Sequence, residues 1–248
     1  MITIKTPAEI ALMRESGKLT RDVLNLIGGS IRAGMTTKEL DKIAHDFIRE
    51  NGAYPSFLGY GGYPASTCIS INETVVHGIP SDDIIVRDGD IVSVDVGTIL
   101  DGWQGDAART FIVGETTEEK KKLVKVTEEC FFKAFACLKD GTPLGDVGYN
   151  VQSHAEANGF SVVRALVGHG IGKEMHEDPS VPNYGRKGTG IRLKAGMVIA
   201  IEPMINAGVY QVDFMPDGWG VKTRDRRPSA HYENTVAITE NGAEILTL

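Results

Sequence analysis

Apolar residues near the start of the chain recur at helical spacing: Ile10, Met13, Leu19, Val23 and Leu26 keep one period. Pro7 suits a first turn and Gly28-Gly29 a stop, so the pattern predicts a helix over residues 7–29. A second helix is predicted over 37–50, closed by Asn51-Gly52. Runs rich in β-branched residues then predict strands at 67–71, 90–96 and 109–113. Two more helices follow, at 117–138 and at 146–157, the latter closed by Asn158-Gly159. The last third reads as strands, at 198–201 and 209–212, and ends in a hairpin turning at Asn241-Gly242.

The pattern also repeats. Gly34, Asn51, Gly52, Gly89 and Asp95 each have a counterpart 107 positions later, at Gly141, Asn158, Gly159, Gly196 and Glu202. The runs 89–95 and 196–202 both end on a carboxylate after a β-rich stretch. This predicts one domain over 1–248 containing a duplicated helix-strand unit, roughly 34–102 and 141–209. Halves related by a pseudo-two-fold would bring the two strand ends together, with Asp95 and Glu202 across one central site.

Composition narrows the function classes. The 248 residues are 42% hydrophobic, enough for a substantial core. A net charge of −7 argues against a nucleic-acid substrate. Three cysteines, Cys68, Cys130 and Cys137, have no paired spacing, so neither a disulfide framework nor a zinc knuckle is indicated and a reducing compartment fits. The N-terminus lacks the features of a secretory signal, and no apolar run approaches the roughly 18–20 residues that span a bilayer. The expectation is a soluble cytoplasmic protein without a membrane segment.

Candidate chemistry lies at strand ends. The run 91–96 is apolar enough to be buried on both faces, yet it delivers Asp95. Asp106 follows eleven residues later, just before the next predicted strand, so the two acids could face each other across a hairpin. Carboxylates forced together repel, and a divalent ion turns that repulsion into ligation. His169 and His176 stand in a glycine-rich stretch, 168–177, without the full spacing of a phosphate loop or an HExxH helix. Glu202 follows an apolar strand and Glu233 opens the final one. Singly each acid reads as a cap or surface residue. Together, four carboxylates and one imidazole suit two adjacent divalent ions such as manganese, iron, cobalt or zinc. Such a pair can activate a water and polarise a carbonyl, as amide hydrolysis requires.

Several motifs in order resemble the methionine aminopeptidases, of the creatinase-like pita-bread fold. They are the stretch 59–73, Val76-His77-Gly78-Ile79-Pro80, Gly168-His169-Gly170-Ile171-Gly172, Ile201-Glu202-Pro203 and His231-Tyr232-Glu233-Asn234-Thr235. The resemblance spans essentially the whole chain and looks like the short bacterial type I form. It implies an α+β fold, with two pseudo-symmetric helix-strand halves around a central curved antiparallel sheet. It implies that Asp106 and Glu233 bridge two metals, Asp95 holds one, and His169 with Glu202 completes the other. Glu202 would also handle the proton of the attacking water. His176 would stabilise the tetrahedral intermediate, and His77 would position substrate and move a proton. Phe57, Tyr60, Tyr63, Cys68, Met175 and Trp219 would form the methionine pocket; on pattern alone they read as core. Phe57, Gly61 and Met175 depart from the residues associated with the best-known bacterial members. Asn72, Thr74 and Ser229 match a site for sodium or potassium.

The resemblance thus implies removal of the initiator methionine from peptides and nascent polypeptides when the next residue is small, by a monomer in transient contact with the ribosome. A proline-directed aminopeptidase of the same fold shares the five ligands but usually carries a further N-terminal domain, absent here. A non-enzymatic binding protein would have no need of an intact ligand set.

Overall fold

The computed structural model describes residues 2–248. Four helices carry the outer layer: α1 (Pro7–Ser30), α2 (Thr37–Glu50), α3 (Glu118–Phe135) and α4 (Leu144–Ala157). Their starts follow from local chemistry. Thr6 with Glu9, and Thr36 with Glu39, form capping boxes that satisfy N-terminal amides of α1 and α2, while Thr117 caps α3. Gly28-Gly29 does not stop α1, which runs to Ser30. Gly28 is instead a point of close approach: a Cβ there would lie 2.7 Å from the Phe111 ring.

Strands differ from expectation chiefly in length. The strand expected at 90–96 is Ile91–Leu100, and the one expected at 109–113 is Trp103–Ile112. Asp101 (φ 50°) and Gly102 (φ 79°) form the tight turn between them, so the ladder closes at Leu100 opposite Trp103. The expected 209–212 strand is displaced to Val212–Phe214, and Met204–Asn206 forms a separate strand before it. The strand Thr67–Ile71, the strand Val198–Ile201 and the final hairpin, Asn234–Ile238 with Ala243–Ile245, stand where expected.

The 107-residue offset reappears in the elements. The bounds of α2 and α4, the short strands Tyr54–Pro55 and Ser161–Val162, and the bridges Thr36 to Ile85 and Pro143 to Arg192 all obey it. One apolar core lies under α1 and α2, and a second under α3 and α4. The ladders form two larger sheets and two three-stranded ones. The larger sheets meet at a seam between Trp103–Ile112 and Asn234–Ile238. There Ala108 and Glu233 exchange both backbone bonds, and the Thr235 hydroxyl accepts from the Asp106 N–H (3.0 Å) while donating to its carbonyl (2.9 Å).

Candidate metal centre

The register fixes which acids can meet. Asp95 pairs with Ala108 and Gly97 with Asp106, so Asp95 and Asp106 are diagonal neighbours on one face rather than directly opposed. In the second sheet Ile201 pairs with Asn234, which brings Glu202 and Glu233 next to each other just past the ladder's end. His169 comes from the strand Gly168–Gly170, alongside Val198–Ile201. The seam between the sheets therefore gathers all five expected ligands.

Their oxygens are short of partners. Asp95 Oδ1, Asp106 Oδ1 and Glu233 Oε1 are buried with no hydrogen bond. Burial, then the neighbouring acids Asp106 and Glu202, drive the Asp95 carboxyl well above its ordinary range. Glu233 is raised by burial and by Asp106, and Glu202 by burial to about 8, with His169 opposing. Four clustered acids, three of them with orphaned oxygens, are a poor protein interior and a good cation cradle.

His169 is set to ligate. Its Nδ1–H donates to the Gly170 carbonyl (2.9 Å), which leaves the Nε2 lone pair facing Asp106 Oδ2 and Glu202 Oε1, each 3.7 Å away. Those gaps are too long for hydrogen bonds and match two ligands of one ion. One atom each from Asp106, His169 and Glu233 lie within 4.8 Å of one another, and the same holds for Asp95, His231 and Glu233. The residues present fit a divalent-metal site.

Beside this cluster opens a cavity of about 130 Å³, lined by the four acids and the His169 imidazole together with His77, His176, Phe57, Tyr60, Tyr63, Cys68 and Trp219. His77 follows the strand Thr74–Val76 in the left-handed region (φ 59°), a conformation that costs a non-glycine residue about 1–3 kcal/mol and turns its ring out of the ladder. His176 stands edge-on to His169, ring centroids 4.3 Å apart, with its Nδ1 2.7 Å from the Tyr60 hydroxyl. Burial and the proximity of His169 push His176 down to about 4. Met175 does not reach the cavity: it is buried behind the wall against Phe57 and the open side of Gly97, where a Cβ would lie 2.8 Å from Met175 Cε. Asn72, Thr74 and Ser229 lie along adjoining strands, the Ser229 N–H donating to the Asn72 carbonyl. The Asn72 amide is held by Asp90 and Ile91, and the Ser229 hydroxyl donates to Ile205 and Asn206. No buried side-chain oxygen of these three is left without a partner.

The chain is matched by known proteins. The model of metallopeptidase family M24 matches residues 11–240. The chain belongs to that family, among the methionine aminopeptidases. Methionine aminopeptidase from Clostridium acetobutylicum is 55% identical over 248 residues, all of this chain and 99% of the relative. The crystal structure of methionine aminopeptidase from Rickettsia prowazekii superposes with a TM-score of 0.98 at 45% identity, covering 100% of both chains. A prolidase from Pyrococcus furiosus shares the architecture at lower similarity: TM-score 0.76, 25% identity, 99% of this chain and 65% of the prolidase. The M24 chain thus has the pita-bread fold and is a metallo-aminopeptidase, a hydrolase of peptide N-termini. Among its described residues no helix is long and apolar enough to cross a membrane.

One group at this M24 centre escaped sequence reasoning. His231 is 2% exposed, and its Nε2 lies 3.8 Å from Glu233 and 4.0 Å from Glu202. A signal was available: in an extended segment, residues 231 and 233 share a face, so a histidine two positions before a ligand points the same way.

Proposed function

We propose that the chain releases an N-terminal methionine from peptides and nascent proteins when the second residue is small, with two divalent ions held by Asp95, Asp106, His169, Glu202 and Glu233. The observation that carries this reading is the set of buried, unpartnered carboxylate oxygens at the end of a small aromatic and sulfur-bearing cavity. When bound, such ions would activate a water and polarise the scissile carbonyl.

The protein's own groups do the rest. Glu202, as a carboxylate at the edge of the cluster, accepts a proton from the attacking water and passes it to the leaving amine. His176 is uncharged at neutral pH, and the Tyr60 phenol, its pKa raised by burial, stays protonated and donates to Nδ1. That bond puts the remaining imidazole proton on Nε2, where it serves as a donor to the oxyanion. His77 offers a second imidazole at the same cavity and orients the substrate. The Tyr63 and Trp219 rings meet edge to face (5.0 Å) and, with Phe57 and Cys68, give a thioether a soft apolar wall. Met175 shapes that wall from behind.

In this reading the two halves are a duplicated unit, one contributing Asp95 from the middle of its strand and the other Glu202 from just past the end of its own. The enzyme acts as a cytoplasmic monomer in transient contact with ribosomes, consistent with a site built from one chain and with three unpaired cysteines. The reading keeps one monovalent cation, sodium or potassium, at Asn72, Thr74 and Ser229. Release of methionine from a Met-Ala-Ser peptide by metal-stripped protein, with and without manganese or cobalt, tests the proposal against an Ala-Pro peptide. Metal-dependent turnover of the first alone supports it. Turnover of the second alone would make the enzyme proline-directed, and turnover of neither with metal bound would leave a binding protein.

A further inference from the structure

The backbone of His231 is fixed on both sides. Its N–H donates to Thr110 Oγ1 (3.0 Å), the Thr110 hydroxyl donates to its carbonyl (2.8 Å), and its strand, Ser229–His231, pairs with Met204–Asn206. The ring is buried, and Nε2 has no hydrogen-bond partner. Its nearest carboxylates, Glu233 at 3.8 Å and Glu202 at 4.0 Å, lie beyond hydrogen-bond reach. The Asp95 carboxylate completes the group with Glu233, and its Oδ1 is likewise buried and unpartnered.

A buried imidazole nitrogen and a buried carboxylate oxygen left apart in this way each lose their water and gain nothing. A bound ion removes both costs. Metal bonds to imidazole nitrogen and carboxylate oxygen run about 2.0–2.2 Å, so donors nearly 4 Å apart fit across one ion and not against each other. We propose that His231 is a sixth protein ligand, binding through Nε2 the ion held by Asp95 and Glu233. His169 then serves the ion held by Asp106 and Glu233, and each ion has one imidazole. The inference rests on the dinuclear reading above. A nitrogen donor at that position tilts preference toward zinc, cobalt and iron, and away from magnesium and calcium, which favour all-oxygen shells.

The test is calorimetric titration of metal-stripped protein with Co²⁺, for the wild type, His231→Gln and His231→Ala, joined to cobalt X-ray absorption that counts imidazoles per ion. The wild type should take up two ions and show one imidazole per ion. The variants should keep one site unchanged and weaken the other roughly 10–100-fold, with the average imidazole count falling to one half. A wild-type count of one half overturns the proposal without any variant, as do unchanged affinities in both variants. Either result leaves the dinuclear site standing, whereas wild-type protein that never binds two ions overturns both readings. Circular dichroism and melting of the metal-free variants separate lost ligation from lost fold.

Discussion

At the residue scale, the tautomer of His176 is the most exposed part of the mechanism. His176→Ala should lower kcat about 10²–10³-fold, the range for loss of one oxyanion donor, with KM changed little. Tyr60→Phe leaves the ring in place but frees its tautomer, and steady-state kinetics should record a fall of roughly tenfold, one hydrogen bond's worth. If Tyr60→Phe matches wild type, the phenol does not set the proton. Gly97→Ala would place a Cβ 2.8 Å from both Met175 Cε and Ser56 Cβ, forcing the pocket wall inward. Its mark should be a raised KM for methionyl peptides with kcat largely kept. Much of this site was legible because acids after apolar strand runs are conspicuous. His231 was not: a single histidine in an extended stretch looks structural until its unpartnered nitrogen is located among carboxylates.

At the element scale, the loop carrying His176 is clipped to the N-terminal segment. Lys5 Nζ sits 2.7 Å from Glu177 Oε2, both side chains nearly buried, while Glu177 also takes a bond from Thr3. Partial burial raises the Glu177 carboxyl, but Lys5 and Thr3 outweigh it and hold the group below its ordinary 4.5. A carboxylate depressed by folding adds stability that is present above 4.5 and disappears as the pH falls through its folded value. Denaturant melts of wild type and Glu177→Gln should therefore differ by about 1–3 kcal/mol near neutrality and converge in acid. The seam offers a second element-level test. Thr235→Val would strand the Asp106 N–H and carbonyl, costing about 1–3 kcal/mol for each. Helices were readable from caps and periodicity. Strand ends were less so: the Asp101-Gly102 pair is a hairpin signal that the run 102–105 obscured by looking like loop, while Gly28-Gly29 looked like a stop and proved to be a contact.

At the scale of the whole molecule, each half has its own core, and the acids lie where the halves join. Metal should then stabilise the joined state only. At a free metal concentration 100 times Kd the gain is about 2.7 kcal/mol, or roughly 5–10 °C in Tm for a chain of this size. Scanning calorimetry with and without a chelator checks it; an unchanged Tm would mean the cradle binds nothing that matters to the fold. The seam has a further consequence, for biogenesis. Because Glu233 sits on one sheet and Asp106 on the other, a newly made chain whose halves have folded but not yet docked presents only half a cradle to the ion. A complete cradle for the ion thus exists only after the two sheets have docked.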